Sequence, residues 1–355
     1  MKPRVAILGA NGQVGSELAL LLARTPECEV RGVVRSNYGA ALLRLAGIPH
    51  ATASAEDETA LRTALGDCDV VVDLTYPGGQ LVDIPGLLSR NMKAVLQACR
   101  PGARYLHMSS IMAYGTASED SVLRDHRFPR ASYGRIKRWA EGEAIRLCEA
   151  AKVEPYIVRL GQVHGVLQGV TQEYRRRTES GHLALFGERS ALTNTLFAGA
   201  VADTVLACAC GALAPATVYT LVSNPQWTLA ELGLAYQRLY NPAAELTFHP
   251  SGGRPRSDLL RRLAAGSQAR ELLETYVFLH SPGLFVRLKG RYRMRGARAH
   301  QAPAAPQRGG APLLGLLGAV PGTLVPGIDS SIETTIRSHE VLAAAYDAYL
   351  TAATR

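Results

Sequence analysis

Tyr133 and Lys137 have the residue types and the spacing that proton transfer needs. They lie four residues apart, in Tyr133-Gly134-Arg135-Ile136-Lys137, so on a helix they share one face. A tyrosine hydroxyl with its ordinary pKa of about 10 is a poor base at neutral pH. A neighbouring ammonium stabilises the phenolate, and the pair can then exchange a proton with a hydroxyl or a carbonyl. An ordinary exposed helix also shows this spacing, so the pair indicates an acid/base site only together with other signals.

A glycine-rich turn near the start of the chain is the second signal. The apolar run 5–8 leads into glycines at positions 9, 12 and 15, and an apolar helical pattern follows. This order of strand, turn and helix is typical of a dinucleotide site, where backbone N–H groups at the helix N-terminus meet a diphosphate. An ordinary tight turn is the alternative. The residues expected to contact the cofactor here are Gly9, Asn11, Gly12, Gln13, Val14 and Gly15.

A pair of hydroxyls at a strand end is the third signal. The apolar pattern predicts a strand over about 105–109, with Ser109 and Ser110 at its end and Tyr114 shortly after. Ligands of parallel sheets bind beyond the carboxyl ends of the strands, so these serines are expected near the cofactor. A turn hydroxyl without a chemical role is the alternative.

Taken together, these blocks resemble the extended short-chain dehydrogenase/reductases, the NAD-dependent epimerase/dehydratase family. The likeness covers about residues 4–235 in the family's order, and it includes an Asn-bearing helix at 91–99, the run 158–165 and Val201-Ala202-Asp203. The resemblance implies a Rossmann-type fold and hydride transfer at a carbon bearing a secondary alcohol or ketone.

The resemblance also implies a role for each matched side chain. Tyr133 corresponds to the general acid/base, and Lys137 lowers its pKa and holds the nicotinamide ribose. Ser110, four residues before Tyr114, corresponds to the serine that hydrogen-bonds the reacting oxygen, with Ser109 as the alternative. Asn91 supports a water or the backbone near the lysine. The further cofactor contacts that follow are Leu74, Thr75, Tyr133 and Lys137.

The end of the second predicted strand departs from the family pattern. NAD-preferring members carry an acidic residue there for the ribose 2′-hydroxyl, whereas this chain has Arg35 and Ser36. Arg35 lies twenty residues after Gly15, and an arginine at that place accommodates a 2′-phosphate. NADP is therefore favoured over NAD. The acidic residue that meets adenine is likewise not evident around 52–54.

The substrate side gives a weaker signal. Sugar-nucleotide enzymes of this family often carry an Arg that grips the diphosphate ahead of the Val-x-Asp signature, and the stretch 191–197 lacks one. His107 and His164 are expected to be ordinary hydrogen-bonded histidines rather than catalytic ones, although His164 stays among the substrate candidates. Those candidates are Ser110, Gln162, His164, Arg175 and Asn194.

Alternating strands and helices in the first half predict an α/β fold, a Rossmann-type doubly wound parallel sheet with a smaller, interleaved C-terminal substrate domain. We expect the NAD(P)-binding domain over 1–165 with a returning segment near 190–225. The substrate domain then takes 166–189 and 226–355. Thr228 and Glu231 have capping-box spacing at the start of a helix, and 299–310 has the composition of a mobile loop.

Composition narrows the class of protein. The chain has 355 residues, 47% of them hydrophobic, and a net charge of +9. Clusters at 175–177 and 287–298 carry much of this charge, and they indicate either a solvated basic face or a site for a phosphorylated or nucleotide-linked substrate. Nucleic acid is disfavoured because no recognition motif accompanies them. Six scattered cysteines predict reduced thiols and no metal site.

The sequence has neither a signal-peptide pattern nor a membrane-spanning run, and it predicts a cytoplasmic protein, possibly a homodimer, with a small-molecule substrate. The leading function is an NAD(P)-dependent epimerase or dehydratase acting on a sugar or sugar nucleotide. An NADP-dependent ketone or aldehyde reductase is the alternative, favoured by Arg35. A cofactor-sensing protein without turnover is a third possibility, and the presence of Tyr133, Lys137 and Ser110 argues against it.

Overall fold

The computed structural model describes residues 1–77, 84–114, 132–249, 323–325 and 342–344. Its strands are β1 Arg4–Leu8, β2 Glu29–Val34, β3 His50–Thr52, β4 Val70–Asp73, β5 Arg104–Ser110, β6 Glu154–Leu160, β7 Gln162–His164, β8 His182–Phe186, β9 Thr195–Phe197, β10 Val218–Leu221, β11 Glu245–His249 and β12 Thr323–Leu324. Its helices are α1 Gln13–Leu22, α2 Ala41–Leu45, α3 Glu58–Leu65, α4 Ile84–Ala98, α5 Ser132–Ala151, α6 Gly169–Glu179, α7 Ala198–Ala209 and α8 Leu229–Tyr240.

Eight of these strands form one parallel sheet in the order β12-β10-β6-β5-β4-β1-β2-β3. The chain builds outward from β1 through β2 and β3, then returns to the other side of β1 with β4. The strand order therefore reverses between β1 and β4, and ligands of doubly wound folds bind at such a point. The predicted doubly wound parallel sheet is confirmed.

Helices cover both faces of the sheet, so its central strands are buried on both sides. The valines at 70–72 have no exposed surface. One face packs on α1 and α7, and the other packs on α3, α4 and α5. Continuous Val and Ile runs are what a parallel sheet covered on two faces requires.

A smaller layer follows the central strands in sequence. Helices α6 and α8 pack on the parallel pair β8 and β11 around a core that includes Tyr174, Trp227 and Tyr236. The capping box predicted for α8 is confirmed: Thr228 Oγ1 accepts from Glu231 N at 3.2 Å, and the Glu231 carboxylate accepts from Thr228 N at 2.7 Å. Such a cap stabilises a helix by about 1 kcal/mol.

Several sequence predictions lie outside the residues that the structure describes, among them the basic series 287–298 and the loop 299–310. All six cysteines are free thiols, five of them buried and Cys210 exposed. Within the described ranges, no helix combines the length and apolar character that crossing a bilayer requires. The same ranges contain no cluster of three or more His, Cys, Asp or Glu side chains able to hold a metal ion.

Candidate active site

The turn between β1 and α1 has the close packing that its glycines predict. Gly9 has φ +77°, a conformation that other residues rarely adopt. A Cβ on Gly15 would lie 2.2 Å from the carbonyl oxygen of Gly9, so a side chain there would push α1 away from β1. The backbone of Leu74 and Thr75 lies about 3.5 Å from the place of a Cβ on Gly9. The turn therefore packs directly on the segment that follows β4.

The N-terminus of α1 is open to a ligand. Its N-cap is Gly12, which supplies no side-chain cap, and its first turn holds no acidic residue. Asn11, Gly12 and Gln13 are exposed. Backbone N–H groups in the first turn of a helix attract an anion through hydrogen bonding and the helix dipole. The bare turn, with the tightly packed glycine beneath it, fits the diphosphate of a dinucleotide.

Two neighbouring loops meet this turn through its side chains. Asn11 lies against the loop after β2, where a Cβ on Gly39 would stand 3.0 Å from its Nδ2 atom. Gln13 lies against the start of α6, with Nε2 at 3.2 Å from the place of a Cβ on Gly169. In the loop after β2, Arg35 and Ser36 are exposed. The loop that could reach a ribose substituent is thus in contact with the glycine turn.

The end of β4 carries a buried carboxylate that sequence reasoning missed. Asp73 is 3% exposed, and one of its oxygens accepts hydrogen bonds from the Thr75 N–H at 2.8 Å and from the Thr75 hydroxyl. The other oxygen accepts from the buried Tyr105 hydroxyl. These bonds fix the backbone of Leu74 and Thr75, the two residues predicted to contact the cofactor.

Helix α5 places Tyr133 and Lys137 near the carboxyl end of β5. Buried residues at 136, 140, 144 and 148 form a stripe at helical spacing that packs on the sheet and on α4. This stripe fixes the rotation of the helix. Tyr133 is 39% exposed and Lys137 is 6% exposed, and Lys137 Nζ donates to the Met108 carbonyl at 3.0 Å. Nζ lies 5.9 Å from the centroid of the Tyr133 ring.

Burial changes the pKa values of Tyr133 and Lys137 in the directions that favour their neutral forms. Burial raises the pKa of Tyr133, and a hydrogen bond with the Ser110 side chain partly opposes this change. Burial lowers the pKa of Lys137, and the negative charges of Asp73 and Glu141 act in the opposite direction. Tyr133 therefore rests as a neutral phenol that can donate a proton, and the two carboxylates favour the ammonium form beside it.

The Ser110 side chain forms a hydrogen bond with Tyr133. It caps the short 3-10 turn Ile111–Ala113, with its hydroxyl accepting from Met112 N at 3.2 Å. Tyr76 is a neighbour that sequence reasoning missed. Its ring lies edge-on to that of Tyr133 at 5.3 Å between centroids, and Lys137 Nζ is 5.3 Å from the centroid of Tyr76. An aromatic side chain directly after Leu74 and Thr75 thus links the cofactor turn to the acid/base pair.

A buried ion pair holds α5 against the sheet. Arg159, on β6, donates through Nε and a terminal nitrogen to the two oxygens of Glu141, at 2.9 and 2.8 Å. Ser109 donates to the same carboxylate at 2.6 Å, and the Arg159 guanidinium lies 4.1 Å from the centroid of the Tyr114 ring. Glu141 is one helical turn after Lys137, so this pair sets the position of the lysine. Because the Ser109 hydroxyl donates to Glu141, Ser110 is favoured as the serine that contacts the substrate.

His107 differs from the expectation that it would be an ordinary hydrogen-bonded histidine. It is 2% exposed, and among the residues that the structure describes neither ring nitrogen has a hydrogen-bond partner. Burial, followed by the charge of Lys137, lowers the pKa of His107 to about 4, and Asp73 acts against that change. The imidazole is neutral at physiological pH.

Asn91, His164 and Asn194 lie in other parts of the fold. Asn91 is half-buried on α4, which packs on α5. His164 is fully buried, with Nδ1 2.6 Å from the Tyr236 hydroxyl. Asn194 is buried and accepts from Gln226 Nε2 at 2.8 Å. These contacts favour structural roles for His164 and Asn194.

The two other substrate candidates occupy the polar surface and a strand edge. Arg175 pairs with Glu179 of its own helix at 2.8 Å and is about half exposed. Arg176 and Arg177 pair with Glu173 in the same way. This favours a solvated face for the cluster 175–177. Gln162 is half-buried in β7.

Comparisons with known proteins give the family and the fold of the chain. The model of the NAD dependent epimerase/dehydratase family matches residues 5–211. An uncharacterized sugar epimerase of Bacillus subtilis is 27% identical over 132 residues, which are 35% of this chain and 60% of that protein. The chain thus matches about three fifths of the length of this relative.

Solved structures share the fold at low identity. A UDP-N-acetylglucosamine 4-epimerase from Bacillus cereus superposes with a TM-score of 0.57 and 16% identity, over 70% of this chain and 86% of the other. A UDP-glucuronic acid 4-epimerase from Bacillus cereus, in complex with UDP-glucuronic acid and NAD, gives 0.54 and 18%, over 70% and 86%. A UDP-glucose 4-epimerase from Thermotoga maritima, with UDP-glucose, gives 0.54 and 15%, over 71% and 87%.

Proposed function

Because the chain belongs to the NAD dependent epimerase/dehydratase family, we propose that it acts on a sugar nucleotide, moving a hydride at a carbon that bears a secondary alcohol. As a member of that family it is an NAD(P)-dependent enzyme of the extended short-chain dehydrogenase/reductase type. The observation that carries the proposal is a series of packing contacts that connects the glycine turn to the acid/base pair. Gly9 packs on Leu74 and Thr75, and the next residue, Tyr76, packs on Tyr133.

Individual residues of the chain have separate roles in the proposed reaction. The glycine turn and the N-terminus of α1 hold the diphosphate of the cofactor, which supplies a hydride acceptor and donor when bound. In the oxidising direction the phenolate form of Tyr133 takes the proton of the substrate hydroxyl as the carbon loses its hydride, and the resulting phenol returns that proton when the ketone is reduced. Ser110 hydrogen-bonds the same oxygen. Lys137 stabilises this phenolate, the form of Tyr133 that accepts the proton.

NADP is the proposed cofactor form, in contrast to the NAD named with the Bacillus cereus UDP-glucuronic acid 4-epimerase. Support comes from Arg35 and Ser36, which stand exposed beyond β2 where NAD-preferring members carry a carboxylate. The adjacent contact of Asn11 with Gly39 keeps this loop beside the turn that holds the diphosphate. A guanidinium there attracts a 2′-phosphate and offers it a bidentate hydrogen bond.

A sugar-nucleotide substrate is supported by the relatives, which include UDP-sugar 4-epimerases and a sugar epimerase. A reductase of a small ketone or aldehyde remains the second candidate. The observation that favours it is the stretch 191–197, which has no Arg to grip a diphosphate. Asn194, within that stretch, is turned to Gln226 in the interior.

One experiment separates the candidates. The purified protein is denatured and its released small molecules are identified by mass spectrometry; the native protein is then incubated with UDP-sugars, or with small ketones and NADPH. An epimerase retains cofactor and interconverts a UDP-sugar without net change in NAD(P)H absorbance. A reductase consumes NADPH in proportion to product. Absence of turnover with either set, together with cofactor binding, would favour a sensing protein and contradict the proposal.

A further inference from the structure

His107 is a buried polar group whose two ring nitrogens form no hydrogen bond with any residue in the described part of the chain. It lies on β5 directly beside Asp73 of β4 in the parallel register. Tyr105, two residues earlier, packs on the side of α3, α4 and α5, whereas Leu106 and Met108 pack on the other side. Since side chains alternate along a strand, His107 faces the same layer as Tyr105, the layer to which α5 belongs.

The polar groups around His107 already bond to one another. Tyr105 donates to Asp73, whose other oxygen holds Thr75. On the next strand and on α5, Ser109 and Arg159 both donate to Glu141. A neutral imidazole still requires a donor for one nitrogen and an acceptor for the other N–H. Buried polar groups are nearly always satisfied, by ordered water where protein groups do not reach.

Lys137 has hydrogen-bond donors available to this buried layer. An ammonium has three N–H donors, and the hydrogen bond to the Met108 carbonyl uses one. Met108 is the residue after His107 on β5. The charge of Lys137 acts on His107, as does that of Asp73. The imidazole and the ammonium therefore share one buried polar layer.

We propose that His107 is a positioning residue for Lys137: a neutral ring nitrogen accepts a hydrogen bond from an ordered water, and that water accepts one from the Lys137 ammonium. The water fixes the direction of Nζ and so the distance of its charge from the Tyr133 hydroxyl. This is the support that the family resemblance assigns to Asn91. The inference rests on the proposed role of Lys137 in stabilising the Tyr133 phenolate.

The test measures the Tyr133 phenolate directly and needs no substrate. Ultraviolet titration of tyrosinate is recorded with saturating NADP for each protein and for the same protein carrying Tyr133→Phe, and the difference reports Tyr133 together with its effect on the neighbouring Tyr76. His107→Leu removes both ring nitrogens, and His107→Gln keeps a donor and an acceptor. We expect His107→Leu to raise the pKa of Tyr133 by about one unit, the scale of one lost hydrogen bond to a charged group. His107→Gln restores the wild-type value.

Two results would overturn the inference: an unchanged Tyr133 titration in His107→Leu, or an equal change in His107→Gln and His107→Leu, which would indicate a packing effect. His107→Met, an unbranched apolar chain, replaces the leucine variant if that protein does not fold, and it is judged by the same criterion. His50→Gln, on β3 and distant in the sheet order, serves as the matched control. Because the titration is independent of turnover, a failed search for sugar-nucleotide activity leaves this result interpretable.

Discussion

Lys137 Nζ lies 5.9 Å from the centre of the Tyr133 ring while it donates to the Met108 carbonyl on the neighbouring strand. The lysine is thus anchored to the sheet rather than to solvent, and its charge has a fixed, buried position near the phenol ring. Charges interact more strongly at low exposure because water screens them less. This relationship is the basis of the proposed acid/base step.

Lys137→Met is expected to impair both cofactor binding and turnover. The substitution keeps the side-chain length and removes the charge that we propose stabilises the Tyr133 phenolate and holds the cofactor ribose. General acid/base contributions are about 100-fold to 10,000-fold, and loss of the phenolate partner should reduce kcat within that range. Lys93→Met, on the exposed surface of α4, is the control. Wild-type cofactor affinity in Lys137→Met would argue against a ribose contact.

Arg35→Ala should reduce the preference for NADP(H) over NAD(H) about tenfold, since a charge-assisted hydrogen bond contributes about 1.5 to 3 kcal/mol. Affinity for NAD(H) should change little. Titration of protein fluorescence with both cofactors gives the ratio, and Arg24→Ala provides a second exposed arginine as control. Equal affinities for the two cofactors in the wild type would refute the NADP proposal.

Glu141→Gln is expected to destabilise the protein by about 3 to 5 kcal/mol, because it leaves the buried Arg159 guanidinium without its counter-charge. The exposed pair Arg62–Glu58, four residues apart on α3 with 2.7 Å between nitrogen and oxygen, offers the comparison. Glu58→Gln should cost at most about 0.5 kcal/mol. Urea unfolding of both variants measures the difference, and similar losses in the two would contradict a clamping role for Glu141.

Glu17 links α1 to the loop that leads into α6, and its charge state should affect stability. The buried carboxylate accepts from Val166 N at 2.8 Å, Leu167 N at 3.2 Å and Gln168 Nε2 at 2.9 Å. Burial raises the pKa of Glu17 above its ordinary 4.5, although these hydrogen bonds oppose the change. The folded state then holds a proton that the unfolded chain has lost. Stability from this group therefore falls as pH rises from 4.5 through the folded-state pKa.

Glu17→Gln has no such proton to lose. Its unfolding free energy should consequently decline less than that of the wild type between about pH 4.5 and pH 7. Urea unfolding across this range, with the exposed Glu27→Gln as control, tests the prediction. Parallel profiles for the wild type and Glu17→Gln would show that the buried carboxylate carries no linked proton.

Local sequence patterns were sufficient for the sheet, the glycine turn and the Tyr133–Lys137 pair. Each of these depends on residues close together in the chain: the turn on spacings of three, and the pair on a single helix. The apolar stripe of α5 and the capping box of α8 follow from the same kind of local regularity.

The buried polar layer depends instead on strand register. Asp73 lies beside His107, and Ser109 beside Arg159, because β4, β5 and β6 pair in a particular alignment. Nothing in the spacing of these residues reveals that alignment. Tyr76 escaped notice for the same reason, since only the fold brings it against Tyr133. For the charge at 175–177 the sequence left a solvated face and a substrate site open, and in the structure acidic partners such as Glu173 lie on the same helix.

The central claim is that Tyr133 transfers the proton that accompanies hydride transfer, and Tyr133→Phe tests it most directly. The substitution removes one hydroxyl and keeps the ring that packs on Tyr76. The measurement compares cofactor affinity and kcat of Tyr133→Phe and the wild type on the UDP-sugar or carbonyl substrate that the wild type turns over. We predict wild-type cofactor affinity with kcat reduced about 100-fold to 10,000-fold. A variant that keeps most of its rate would contradict the account.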